Sequence, residues 1–548
     1  MGTNKSGMWA VWCVVLACVI CFGGCGGASA GSVQGAKHVQ VNVNEPETLD
    51  FQHTTIGYTV PYATFDRLVG VSKDAEDAIV PSLADSWEVS DDGLHYVFHL
   101  REGVKFSNGS ELTATDVRYT FERLIRDPES TNRYIVSEVE GADELERGEA
   151  DSLAGFDLID DYTFSLTLKQ PFSAFLASLA MAGASIMDEQ TVSGAEDRFG
   201  VDPEVTVGTG PYVLSEWVKG DKIVLVPNPA CWSGLPANTG IDLVFVDGAE
   251  ALAERFKAGA LDVLNVDELG YLRDYYLRGD IYADRLHSFP QVAIDYIALN
   301  ESVKPLDDVR VRKALQLALD RPTLLDASYS GDGTVEHGIF PHGLIGHNDD
   351  LEEIPYDPDE AKRLLEEAGY ADGFELDVSL RASTPSWQRD LMDMAQKMWD
   401  RVGVKANINI VGEDEFMAKR NAGELVVYTA TWTADYDDPD NFIYTFFGNE
   451  ENTRRRSLCY TDEEAMGQVR NARTITDEDE RIEVYHELEK KIVQEDAAWI
   501  PLFCRDRHYL VSDRVTDFSV AWNGWIESVL KDIAIGEGRE QTDALPES

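Results

Sequence analysis

The chain has 548 residues, with 99 Asp and Glu against 47 Lys and Arg and a formal net charge of −52. That length allows about three to four domains of ordinary size, and the 44% hydrophobic content is ample for a buried core, so a disordered protein is excluded. The acidic excess is spread along the chain, which argues against a nucleic-acid partner, because phosphate binding needs a basic surface, and fits a surface kept soluble by charge.

Residues 8–22 form an apolar run behind Lys5 and before Gly23, Gly24 and Cys25. The run is short for a membrane span of ~20 residues and suits the core of a signal peptide. The small residues ahead of Cys25 resemble the lipobox of bacterial lipoproteins, with Phe22 where that pattern usually has Leu. The resemblance implies that residues 1–24 are removed and that Cys25 carries lipid. Cys18 is a second position, but it would leave too short an apolar core. Residues 25–37, rich in Gly, Ser and Ala, then read as a flexible tether. Cys231, Cys459 and Cys504 remain for the folded part. They have no zinc-ligand spacing and permit at most one disulfide, so no metal or cofactor is expected, and buried packing is their expected role.

Residues 87–100 read as a hairpin in which Trp87 and Val89, then Leu94, Tyr96, Phe98 and Leu100, alternate with polar residues about an Asp92-Gly93 turn. Residues 116–125 have helical spacing. Residues 241–246 alternate as a strand, 251–257 are helical up to a stop at Gly259, and 261–266 return as a strand, a strand-helix-strand unit. Val311, Leu315, Ala318 and Leu319 share one helix face, with Arg310, Arg312 and Lys313 expected on a solvated side. Asp357-Pro358 opens a further helix that Gly369 closes. Strand-like 425–429 then leads into Thr431, Trp432, Asp435, Tyr436, Asp437 and Asp438, a run of aromatics and acids punctuated by Pro439. Those acids therefore fall on a loop at a strand end, ahead of a helix near Asp440. Mixed strands and helices make this an α/β chain.

Residues 83–94 (Leu-Ala-Asp-Ser-Trp-Glu-Val-Ser-Asp-Asp-Gly-Leu) and 98–106 (Phe-His-Leu-Arg-Glu-Gly-Val-Lys-Phe) resemble the signature of the bacterial ABC-transporter solute-binding proteins of the dipeptide- and oligopeptide-binding family, family 5. Gly208-Thr209-Gly210-Pro211-Tyr212, Asn228-Pro229 with Trp232, residues 308–315 with Asp320-Arg321, and residues 359–370 resemble further blocks in the family's order. The resemblance covers roughly residues 40–520, and Ser107-Asn108-Gly109 departs from the family's usual His-Asp-Gly. It implies a two-lobed periplasmic-binding-protein-like fold with a hinge, class II and cluster C-like, in three domains. Lobe 1 is expected from 38–65, 205–295 and 510–536, an inserted domain from 66–204, lobe 2 from 296–509, and a tail at 537–548.

The family's Trp-x-x-Asp element, whose aspartate takes a peptide's α-ammonium group, matches Trp432 to Asp435 here. The resemblance thus implies Asp435 as ammonium anchor, with Trp432, Thr431 and Tyr436 around it. Arg381 is a candidate for the C-terminal carboxylate, and the stretch from His53 to Tyr58 after the first strand, Thr55 included, is a candidate contact. Asp437, Asp438 and Asp440 have a weaker claim, because acids around Pro439 can simply cap the helix. The expected partners are a short peptide and membrane permease subunits. The protein is expected as a monomer held by lipid on the outer face of the cytoplasmic membrane. An oligosaccharide, metal chelate or haem is the alternative solute, and an adhesin or sensory lipoprotein the alternative role. A hydrolase using paired carboxylates is disfavoured because no His-Glu-x-x-His, Gly-x-Ser-x-Gly or Cys-His motif is present.

Overall fold

The computed structural model describes residues 38–72 and 79–536. Cys25, the signal segment, the tether and the 537–548 tail lie outside the described residues. Among the described residues no helix is long and apolar enough to cross a membrane.

Strand Val39–Asn42 lies between Ile241–Val244 and Val263–Asn265 and runs parallel to both. Helix Ala249–Lys257 carries the chain from one of these neighbours to the other, as the strand-helix-strand reading of the sequence anticipates. Lys222–Pro227 and Tyr212–Val218 extend the sheet as an antiparallel edge. A second set of strands has Phe374–Arg381 parallel to Val404–Val411 on one side and to Val427–Thr433 on the other. Its central strand, Ala293–Leu299, is buried at every position, as a strand covered on both faces must be.

The two strand sets meet on Trp499–Val511. At one end this strand pairs with Val263–Asn265 and Leu286–Pro290, and at the other with Ala293–Leu299 and Gly333–Val335. Two chain passes, 286–299 and 499–511, therefore connect the halves, which is the two-lobed periplasmic-binding-protein architecture. Residues 84–167 supply a separate four-stranded antiparallel sheet. Within it Ala84–Val89 and His95–Leu100 form the expected hairpin, and Gly93 takes the positive φ of 68° that the turn requires.

Local signals set the helix boundaries. Asp357 caps Pro358–Glu367 by accepting from the Glu360 N–H at 2.9 Å, with proline at the first helical turn, where its missing N–H costs nothing. Helix Val309–Leu317 buries Val311 and Leu315 on its expected apolar face, Ala318 and Leu319 are buried just past its end, and Arg312 is not on a solvated side. It is buried, donates to the Asp496 and Leu306 carbonyls and lies 3.1 Å from Glu301. Periodicity assigned it to the surface, whereas its long stem reaches carbonyls that would otherwise be unpaired. Cys504 is buried, as expected of the cysteines, while Cys231 and Cys459 are half-buried, and all three are free thiols.

Candidate functional site

Strand Val427–Thr433 lies antiparallel to Ala293–Leu299, with Trp432 opposite Ile294, and delivers the acidic loop at its end. The loop returns through helix Asp440–Phe447, whose Phe446 and Phe447 rings pack 5.1 and 5.9 Å from the buried Trp499 ring. Aromatic pairs of this kind are worth about 0.5–1.5 kcal/mol each beyond their area, so the helix is a rigid base for the loop.

Asn441, in the first turn of that helix, sets the geometry of both residues of the Trp-x-x-Asp element. Its Oδ1 accepts from Trp432 Nε1 and from the Asp435 N–H, each at 3.1 Å, and its Nδ2 donates to Asp435 Oδ2 at 3.3 Å. Asp435 itself is reached by solvent, yet protein encloses it enough that desolvation raises its carboxyl to about 6, against the lowering by Asn441 and by the Arg456 charge. No Lys or Arg forms a salt bridge with it among the described residues. A closing lobe would bury this carboxylate, and an unpaired buried carboxylate is costly unless a cation arrives with the ligand.

The surroundings of Asp435 come from segments far away in the chain. Burial above all, and the Asp435 charge to a smaller degree, raise the hydroxyls of Tyr58, Tyr62 and Tyr134. Tyr134 remains 43% exposed. On the other side, the Arg456 guanidinium stacks 4.7 Å from the Trp432 ring and 5.3 Å from that of Phe446. Burial raises the Tyr296 hydroxyl, against a lowering by the charges of Arg456, Arg420 and Arg381, and of these three Arg456 is the one stacked on Trp432. Burial, and next the Arg456 charge, lower the Arg420 pKa, a sign of crowding by like charge. The arrangement offers one carboxylate without a salt bridge among the described residues and the Arg456 guanidinium in the same neighbourhood, which suits a ligand carrying both an ammonium and a carboxylate.

The other sequence candidates lie as follows. Arg381 pairs with Glu413 at 3.1 Å near the surface, a weak exposed pair that a ligand carboxylate can replace. Thr55 sits on an exposed turn. In that stretch it is Tyr58, held by Asn132 Nδ2 at 3.1 Å, whose surroundings include Asp435. Thr431 gives its hydroxyl to Asp295, a buried carboxylate that Arg505 neutralises at 2.6 Å. Tyr436 is buried against the core of residues 68–186 and donates to Asp440 at 2.8 Å. For Thr431 and Tyr436 the hydroxyl is thus committed to the protein, because each lies beside a buried acid that needs a donor.

Asp437, Asp438 and Asp440 do more than cap a helix. Asp437 accepts the Ile345 N–H at 2.9 Å, Asp438 pairs with buried Arg481 at 2.7 Å, and Asp440 pairs with Arg473 at 2.8 Å. Sequence reading included Tyr58 in its candidate stretch but missed Asn441, Arg420, Arg456, Tyr62 and Tyr134. Only Asn441, six residues after Asp435 in a helical first turn, carried a local signal.

The two-lobed α/β scaffold is that of the binding proteins that hold small solutes. The model of the bacterial extracellular solute-binding proteins, family 5, middle region, matches residues 78–454, and the chain belongs to this family. The chain is 32% identical to heme-binding protein A of Haemophilus influenzae over 80% of this chain and 81% of that one. It is 30% identical to the dipeptide-binding protein of Escherichia coli over 86% and 89%. Among solved structures, a periplasmic oligopeptide-binding protein of Borrelia burgdorferi superposes with a TM-score of 0.75 at 25% identity, over 90% of this chain and 99% of that one.

Proposed function

We propose that this chain captures short peptides outside the cytoplasm, as the solute-binding component of an ABC importer, and hands them to membrane permease subunits without altering them. The observation that carries this reading is Asp435: a solvent-reached carboxylate without a salt-bridge partner among the described residues, fixed by Asn441 beside Trp432. A peptide α-ammonium supplies the missing cation through a short charge-assisted hydrogen bond. Arg456, with Arg420 and Arg381 close by, takes the carboxylate end, and main-chain hydrogen bonds along an extended peptide make the capture indifferent to side chains.

Lobe 1 is assigned to 38–65, 205–295 and 510–536, the inserted domain to 66–204 and lobe 2 to 296–509. Their hinge closure encloses the ligand. The chain acts as a monomer tethered through lipid on Cys25.

A second reading has one observation in its favour. The arginine cluster suits an acidic solute such as haem, and one relative is named for heme binding. Calorimetry with free and N-acetylated di- and tripeptides, and with haem, separates the two. Tight binding of free peptides alone supports peptide capture. Equal binding of acetylated peptides, or binding of haem alone, overturns the ammonium anchor.

A further inference from the structure

Glu336 follows strand Gly333–Val335, and its N–H donates to the Leu502 carbonyl at 3.0 Å, which pins it to the strand that crosses between the halves. It is 3% exposed, and among the described residues its salt-bridge partner is neither Lys nor Arg but His342, whose Nδ1 lies 2.7 Å and whose backbone N lies 3.0 Å from Oε1. The intervening loop is held from below by Glu489, which accepts the Ile339 and Phe340 N–H groups at 2.6 and 2.9 Å. Glu489 is itself a buried carboxylate. Two buried acids thus flank the loop, and among the described residues neither forms a salt bridge with Lys or Arg.

The loop brings back His347, whose ring centre is 4.0 Å from that of His342. His347 Nδ1 lies 2.8 Å from the Phe340 carbonyl, so Nδ1 carries the proton and Nε2 presents a lone pair. A backbone carbonyl that fixes the ring in this way is the usual outer partner of a metal-bound histidine. One donor atom from each of Glu336, His342 and His347 lies within 4.8 Å of the others. The side chains grade from 4% exposed at Glu336 through 17% at His347 to 48% at His342, which gives an ion a path from solvent.

We propose that Glu336, His342 and His347 bind one divalent first-row metal ion of the zinc class. Two imidazoles and one carboxylate suit zinc, whereas calcium and magnesium call for an all-oxygen set. The carboxylate supplies the negative charge, and the ion supplies the cation that buried Glu336 lacks. The same loop donates Ile345 N–H to Asp437 at 2.9 Å, and a Cβ at Gly346 would meet Pro439 at 2.9 Å. A bound ion therefore braces the loop on which the 435–440 segment rests. The site does not depend on which solute the protein carries.

The test is titration of the chelator-stripped full chain with Zn²⁺ against a chromophoric competitor, with Co²⁺ absorption as a second readout. One ion per chain is expected, with Kd at or below about 1 μM, together with an intense visible Co²⁺ band from a low-coordinate site. His347→Ala and Glu336→Gln should each weaken Zn²⁺ by more than about 30-fold, as should His342→Ala, at a half-exposed position where folding is tolerant. Asp349→Asn, at an exposed carboxylate 3.6 Å from His347 Nε2, should change it by less than about threefold. Failure of the wild type to bind below about 1 mM, His342→Ala and His347→Ala both within about threefold of wild type, or displacement by equimolar Ca²⁺, overturns the site.

Discussion

Asn441 and Asp435 are joined twice: the asparagine Oδ1 accepts the aspartate N–H at 3.1 Å while its Nδ2 donates to the aspartate Oδ2 at 3.3 Å. One buried amide thus fixes both the backbone and the carboxylate of the residue assigned to the ligand ammonium. Because the same Oδ1 also takes Trp432 Nε1 at 3.1 Å, the aromatic and the acid cannot move independently.

Asp435→Asn should weaken binding of a free dipeptide at least ~20-fold, since truncating one member of a desolvated charge pair costs about 2–5 kcal/mol. An N-acetylated dipeptide should bind wild type poorly and lose little more on the variant. Calorimetry over the four combinations measures the coupling, and additive losses would remove the ammonium contact.

Asn441→Ala should keep the fold and still lower peptide affinity by about 5- to 30-fold, because the hydrogen bonds that orient Trp432 and Asp435 are lost at ~1 kcal/mol each. Thermal melts run beside the binding assay separate the two effects. A loss of stability with unchanged affinity would assign Asn441 to the core alone.

Peptide affinity should fall in acid. Asp435 is raised above its ordinary range, to about 6, so the ionised form that an ammonium needs is nearly complete at pH 7.5 and is lost as pH drops through that value. Between pH 7.5 and pH 5 the apparent affinity should fall about tenfold from this group, with proton release on binding near pH 6. Asp435→Asn should abolish both the slope and the proton release. A wild-type affinity flat over that range would show that Asp435 does not face the ligand charge.

Asp438→Ala should cost about 3–5 kcal/mol of stability, because it leaves buried Arg481 without the carboxylate that it meets at 2.7 Å. Arg473→Ala should cost a similar amount. Its guanidinium pairs with Asp440 at 2.8 Å and stacks 4.3 Å from Phe172, and its carbonyl accepts the Ser173 N–H at 3.1 Å. Urea unfolding of the ligand-free protein measures both. Changes within about 0.5 kcal/mol would mean that these acids are solvated after all.

What the sequence determined by itself was local. Alternation at Trp87 to Leu100, helical spacing at Val311 to Leu319, and Asp357-Pro358 before a helix each specify an element through forces acting over a few residues. In such cases the elements form where the pattern puts them, although the helix closes at Leu317, before Ala318 and Leu319, and Val89 of the hairpin is exposed. The family blocks and the Trp-x-x-Asp element were legible for the same reason, being contiguous. Tertiary structure decided which charges meet. Arg312 looked like a surface residue because periodicity reports which face is apolar, not how far a long stem can reach to a buried carbonyl. Thr431 and Tyr436 stand beside Asp435 in the chain, yet the folded protein gives their hydroxyls to Asp295 and Asp440. Tyr58 and Tyr134 reach the neighbourhood of Asp435 from hundreds of residues away, and Arg456 from beyond the helix that follows it. Glu336, His342 and His347 carry no zinc-finger spacing, and they converge because Leu502 pins one end of their loop and Glu489 holds the middle. Desolvation and ion pairing depend on distance in space, which a one-dimensional pattern does not contain until long-range strand pairing has fixed it.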